Sequence, residues 1–240
     1  MPEPSLQLFS VSGLGEVRPG DVLADLFVSA LRPPDGPGLC DGDVLVVTSK
    51  VVSKSEGRLV AVEEGDQGAK VALVEAEAVR VLRRRGDLRV TETAHGFVCA
   101  NSGVDLSNVE AGTAVLLPVD PDRSARRLRA DLRRRMGVVV GVVISDTFGR
   151  SWRRGVTDVA IGCAGVAGIV DLRGTPDAMG RVLEGTEVCV VDELASAADV
   201  VMGKSSGVPA VVVRGAPFEW LRDGSVASEV IRPYDEDLFR

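Results

Sequence analysis

The apolar run Val138-Val139-Val140-Gly141-Val142-Val143-Ile144 constrains this chain more than any other stretch, because of the polar cluster at its end. It empties into Ser145-Asp146-Thr147-Phe148-Gly149-Arg150-Ser151-Trp152-Arg153-Arg154-Gly155-Val156-Thr157-Asp158. A run so short, apolar and β-branched reads as a strand buried on both faces, with the polar cluster beginning where the strand meets solvent. Sheets flanked by helices put their chemistry at that edge. Asp146, the adjacent Thr147 hydroxyl and the nearby Arg150, Arg153 and Arg154 bring a hard-metal ligand beside anion-binding groups, which suits a metal-bound phosphate.

At 240 residues and 45% hydrophobic content the chain can bury a globular core, as one large domain or two small ones. Residues 1–240 are therefore expected to form one domain, with scope for two lobes. A net charge of −7 argues against general nucleic-acid binding, since the field repels a polyanion, so anionic ligands must be met by local clusters. Cys40, Cys99, Cys163 and Cys189 show no CxxC spacing, and His95 is the single histidine available to help them bind zinc. A reduced, cytoplasmic setting is expected. Met1 to Ser10 lack a basic and apolar leader pattern, and no apolar run approaches the roughly 18 residues of a membrane span.

Arginine outnumbers lysine twenty-four to four. Codon bias explains the ratio, yet three of the four lysines, Lys50, Lys54 and Lys204, fall in motif-like positions, whereas Lys70 sits in an ordinary helical pattern.

Leu6 to Val11 reads as a strand, Asp21 as the cap of a helix carrying Leu23, Leu26, Phe27, Ala30 and Leu31, and Arg32 to Gly38 as a loop. Asp43 to Thr48 is a second strand, which Ser49 to Gly57 continues into a polar turn. Gln67 to Arg85 has helical spacing, Thr113 to Val119 is a strand, and Asp122 caps a helix bearing Leu128, Leu132 and Met136 that Gly137 ends. The runs Arg83-Arg84-Arg85 and Arg133-Arg134-Arg135 would then complement helix dipoles. Glycine and alanine beyond Gly155 imply close backbone packing. A helix near Pro176 to Leu183, a strand at Glu187 to Val191, a helix from Glu193 to Met202 and a strand at Pro209 to Val213 complete a mixed α+β pattern rather than a doubly wound one.

Familiar nucleotide signatures fail. Gly203-Lys204-Ser205 resembles the end of a P-loop, but the preceding Ala198 to Met202 lacks its glycines. Gly13 and Gly15 form only a fragment of a dinucleotide fingerprint. A Ser or Cys nucleophile would have only His95 as a base. What remains is a scattered set of metal- and phosphate-type groups. Taken singly, Asp105 and Asn108 could equally be turn or cap residues, and Lys54 a solvated side chain.

Taken in order, these segments resemble the F420-0:γ-glutamyl ligase family from Gly13-Leu14 through Arg214-Gly215. The most specific pieces are Gly42 to Val47 with Val51 to Gly57, Asn101 to Asp105 with Ser107-Asn108, Ser145 to Arg153, and Asp158 to Gly162. The resemblance implies an α+β fold of mixed sheets with flanking helices, an intertwined homodimer, and a ligase joining L-glutamate to coenzyme F420-0 with GTP and Mg²⁺ or Mn²⁺. K⁺ is a further cofactor in that expectation, and neither nucleic acid nor membrane is a partner.

By the same resemblance, Asp105 and Asp146 are ligands of a first metal and Thr147 of a second. Leu14, Gly15, Glu16, Val17, Ser49, Lys50, Lys54 and Asn108 bind nucleotide, with the loop containing Gly203, Lys204, Ser205, Ser206 and Gly207 completing that site. Lys54 and Asp146 would act in catalysis through an acyl phosphate; beside what the resemblance implies, Arg150, Arg153 and Arg154 are the candidates for gripping the substrate's phosphodiester or the incoming glutamate carboxylates. Lys204 stands where some relatives carry a metal-binding glutamine, and Ser151 and Val156 where proline and glutamine are expected. Some relatives continue into a flavin-binding reductase domain, which residues 1–240 are not expected to contain. A different nucleotide-dependent carboxylate-amine ligase, or a non-catalytic nucleotide-binding module, stays open as an alternative.

Overall fold

The apolar run at 138–144 feeds the interior of a five-stranded sheet. The computed structural model describes residues 5–238. Its elements come in the order β1 (Gln7–Val11), α1 (Leu23–Leu31), β2 (Val44–Thr48), α2 (Ser49–Ser55), β3 (Leu59–Ala61), α3 (Gln67–Ala76), β4 (Ala78–Arg85), β5 (Leu88–Thr93) and β6 (Val98–Ala100). They continue with β7 (Thr113–Val115), α4 (Pro121–Met136), β8 (Gly141–Gly149), β9 (Val156–Ala164), β10 (Val170–Asp171), β11 (Glu187–Val188), α5 (Val190–Met202), β12 (Ala210–Arg214) and α6 (Val226–Glu229).

The main sheet has the order β1-β12-β2-β8-β9. β2 and β8 run parallel, with Thr48 opposite Ser145, so their C-terminal ends open on the same edge. The other three pairings are antiparallel. Val44–Val47, Gly141–Ser145 and Ala210–Val213 are buried without alternation, which requires cover on both faces of the sheet. Helices α4 and α5 both pack against β8 and β9. A second, smaller core of Val62, Val74, Val104, Ala114 and Leu116 forms between α2 and α4, where β3 pairs with β7 and β4, β5 and β6 make their own sheet. The result is a mixed α+β architecture. Among the described residues no helix is long and apolar enough to cross a membrane.

Several local expectations change. Ser49–Ser55 is a helix rather than a turn, with Val51, Val52 and Ser53 turned inward. The helix beginning at Gln67 stops at Ala76, and Ala78–Arg85 becomes a strand paired with β5, so Arg83-Arg84-Arg85 lies in a strand and not at a helix end. Pro176–Leu183 is a chain reversal, closed by the Pro176–Val182 bridge and by Asp177, which accepts from the Met179 and Arg181 amides. Asp21 accepts from the Arg18 amide at 2.8 Å and does not cap α1. Asp120, not Asp122, caps α4. The far end of α4 matches expectation, with Gly137 left-handed at φ 73° and Arg133–Arg135 in the last turn.

The glycine- and alanine-rich stretch does pack closely. A Cβ on Gly162 of β9 would stand 2.4 Å from the Pro121 carbonyl carbon and 2.6 Å from its carbonyl oxygen, and backbone cannot swing aside as a flexible side chain can. Gly162→Ala should therefore lower the urea-unfolding free energy by about 1–3 kcal/mol through overpacking. An unchanged midpoint would mean that β9 and α4 separate freely.

Candidate active site

The parallel pairing of β2 and β8 puts Ser49 and Asp146 side by side at one sheet edge, where the Ser49 hydroxyl donates to Asp146 Oδ1 at 2.8 Å. A cavity of about 900 Å³ opens there. Because α2 begins at once after β2, Lys50 and Lys54 sit one turn apart and both line it. Lys54 donates to Glu16 at 2.5 Å. Glu16 comes from the 13–17 loop, which glycines at φ 80° and 70° bend while the buried Leu14 and Val17 anchor it.

Asp105 arrives from a turn held in unusual backbone geometry. Asn101, Ser102 and Asn108 all have φ of 53–54°, a region that costs a non-glycine residue energy unless its surroundings enforce it. Here Ser102 Oγ donates to the Val74 carbonyl at 2.8 Å, and the Asn101 side chain accepts from the Arg89 amide at 3.0 Å. Asp105 exchanges backbone hydrogen bonds with Val115, so its position is fixed on both sides. Its carboxylate accepts from Lys50 Nζ at 2.8 Å and from the Ser107 amide and hydroxyl at 2.7 and 2.9 Å. Burial opposes its ionisation, but Lys50 and Ser107 outweigh burial and hold the carboxyl below its usual range.

Asp146 behaves differently. The strand does not end at Ile144 but runs to Gly149 against β9, so Asp146 and Thr147 lie within it. Burial first, then repulsion from Asp158 and Asp105, pushes the Asp146 carboxyl up to about 6, against the partial help of Ser49 and the Thr147 amide. The antiparallel register brings Asp158 opposite Thr147. Asp158 is 4% exposed and accepts from Ser145 Oγ at 2.9 Å, Thr147 Oγ1 at 2.6 Å and Lys204 Nζ at 3.0 Å. Lys204 also donates to Thr147 Oγ1 and pairs with Asp199 at 3.2 Å. Burial opposes its charge, yet these carboxylates hold its pKa above the ordinary lysine value.

Most of the expected site residues therefore meet. Leu14, Gly15, Glu16, Val17, Lys50, Lys54, Asn108, Gly203, Lys204, Ser205 and Gly207 line the cavity with Asp105, Asp146 and Thr147. Ser49 contributes from beneath through Asp146, and Ser206 turns away to donate to the Met202 carbonyl. Three of the chain's four lysines share this one cavity, which makes their scarcity informative. Arg150, Arg153 and Arg154 are exposed on the β8–β9 turn and none lines the cavity. His95 is outside it too, stacked on Phe97 and bonded to the Pro118 carbonyl at 2.8 Å. Sequence reasoning misses Asp199 and the role of Asp158 as hub of the β8–β9 network. A lone carboxylate inside Val156-Thr157-Asp158-Val159-Ala160-Ile161 is the one available signal.

A family model for F420-0:gamma-glutamyl ligase matches residues 13–215. The coenzyme F420:L-glutamate ligase of Methanothermobacter thermautotrophicus is 43% identical, the match covering 98% of this chain and 99% of the relative. That of Methanopyrus kandleri is 42% identical over 99% and 98% of the two chains, and that of Archaeoglobus fulgidus 40% identical over 98% and 96%. The matched span runs from the glycine loop beside Lys54 to the end of β12 and so takes in every segment that builds the cavity; the chain belongs to the F420-0:gamma-glutamyl ligase family.

Proposed function

We propose that this chain joins L-glutamate to F420-0 at the expense of GTP, with Mg²⁺ or Mn²⁺ bound beside the nucleotide. One observation carries the reading: three lysines and a half-buried, cation-free carboxylate, Asp146, converge on a single cavity in a chain of this family. The names of the relatives support coenzyme F420 and L-glutamate as substrates, and the family description supports F420-0.

The residues fit a divalent ion of this kind. Asp105 and Asp146 offer hard oxygen ligands, and Asp146 has a hydroxyl and an amide but no ammonium or guanidinium to balance its charge. Among the described residues no cluster of three His, Cys, Asp or Glu forms a complete cage. That is the donor set of a nucleotide-bound Mg²⁺ or Mn²⁺, which takes one or two carboxylates and completes its shell with phosphate oxygens and water. When bound, the ion supplies charge neutralisation at the phosphates.

The chemistry begins with two anions that repel each other, the acceptor carboxylate and the γ-phosphate. Lys50 and Lys54, one turn apart on α2, supply positive charge on the wall facing the phosphates, and Glu16 and Asp105 hold their ammonium groups in position. The acceptor carboxylate oxygen attacks the γ-phosphorus, the bond to GDP breaks, and an acyl phosphate results. The neutral α-amine of glutamate then attacks the acyl carbon, the C–O bond to phosphate breaks, and the departing phosphate takes up the amine proton as the amide forms. No imidazole is needed for either step.

Mass spectrometry of F420-0 incubated with the purified protein, L-glutamate, GTP and Mn²⁺ or Mg²⁺ tests the proposal. Species heavier by successive glutamyl units are expected, together with GDP, and none with Asp146→Asn. GTP binding with no glutamylated product would sink the substrate assignment, and product formed equally well with ATP would sink the nucleotide assignment.

A further inference from the structure

We propose that the Lys204 ammonium is a tethered cation that takes the position of a second divalent ion, so that this cavity holds one divalent ion per chain rather than two. The inference rests on the metal–nucleotide reading of the cavity. Lys204 Nζ is surrounded by oxygens from three separate elements: Thr147 Oγ1 on β8, Asp158 Oδ1 on β9 at 3.0 Å and Asp199 Oδ1 on α5 at 3.2 Å. A hydroxyl and two carboxylates converging on one point is a donor set for a hard cation. Here an ammonium nitrogen fills that point. It has no lone pair and cannot itself ligate a metal, so ammonium and metal exclude each other there.

Charge balance favours the same conclusion. Asp105, Asp146, Asp158 and Asp199 bring four carboxylates to the cavity, and Lys50 and Lys204 bring two ammonium groups, while Lys54 is paired separately with Glu16. The protein's own groups are left with two negative charges, which one divalent ion balances before the nucleotide brings its own. That ion belongs at Asp146, the carboxylate without a cationic partner, and not at Asp158, which is already satisfied by two hydroxyls and Lys204. A buried carboxylate with no counter-charge is costly, and a lysine fixed in the loop after α5 keeps Asp158 compensated whether or not ligands are present.

Equilibrium dialysis against Mn²⁺ with a non-hydrolysable GTP analogue, followed by metal analysis, counts the ions bound per chain. The expected result is one Mn²⁺ in the wild type and in Lys204→Arg, and two in Lys204→Gln, whose amide oxygen can ligate. Two ions in the wild type, or a count that Lys204→Gln leaves unchanged, would overturn the inference while the metal–nucleotide reading stands. Retention of no Mn²⁺ by any of the three proteins would overturn both.

Discussion

Replacing Asp146 by asparagine is expected to yield a protein that is inactive and, without ligands, more stable than the wild type. The carboxyl's rise from 3.8 to about 6 is a statement about folding: the native state binds this proton more tightly than the unfolded chain does. Its stabilising effect is complete below about pH 4 and is lost as pH climbs through 6, so at pH 7 the ionised group costs up to roughly 3 kcal/mol. Asparagine keeps the shape and cannot ionise. The difference in unfolding free energy between variant and wild type should therefore grow between pH 4 and 6 and then level off, which urea titrations across that range would read. Other carboxyls remote from the site, such as Glu229, are held low and contribute the opposite slope, but equally in both proteins. Saturating Mn²⁺ with nucleotide should reverse the order. At one thousand times its dissociation constant a ligand stabilises the wild type by about 4.1 kcal/mol, which exceeds that cost, and the variant loses the gain together with turnover, on the order of 10³-fold or more. A variant less stable than wild type at pH 7 would show that the Asp146 carboxylate is well solvated.

This conflict between charge and burial is why the candidate site is partly legible in the sequence. Asp146, Asp105, Lys50 and Lys54 are polar groups set against buried strands and tight turns, and such local contradictions are visible without a structure. Arg150 and Arg153 are outside the cavity lining although Val156, opposite Gly149, belongs to it, because both lie on the exposed turn beyond that last pair of the hairpin. Asp158 is hidden from a linear reading because its partners come from hairpin register: Thr147 and Asp158 are opposite only once β8 and β9 pair. Tertiary pairing also overrides local pattern at Ala78–Arg85, where the helical spacing of Gln67 onward gives way to a strand whose Arg80 meets Glu92 across β5 at 2.7 Å. In Ser49-Lys50-Val51-Val52-Ser53-Lys54-Ser55 the β-branched pair and polar residues favour no helix locally. Burial of Val51, Val52 and Ser53 imposes one.

Asp122 looks like a helix cap in the sequence, and its actual surroundings lead to the largest stability loss expected in this chain. It is the second residue of α4, 5% exposed, and all its bonds go to other elements. Oδ1 accepts from the Cys163 amide at 2.8 Å and the Val226 amide at 3.0 Å, while Oδ2 accepts from Ser225 Oγ at 2.8 Å and the Ala227 amide at 3.0 Å. One carboxylate thus joins the start of α4 to β9 and to the first turn of α6, and its charge lies favourably at two helix N-terminal ends. Asp122→Ala would leave three backbone amides and a hydroxyl without their acceptor. Leaving a buried donor unsatisfied costs about 1–3 kcal/mol, and breaking a buried network of this kind about 3–5 kcal/mol in total. For a domain of this size that corresponds to a fall in melting temperature of about 6–10 °C. Asp122→Asn should recover little, because its amide NH₂ must face donors that the second carboxylate oxygen now satisfies. Paired urea and thermal melts of the two variants decide the matter. If Asp122→Asn matched the wild type, α6 would be anchored by its apolar contacts alone, and the carboxylate would be a passenger at the junction.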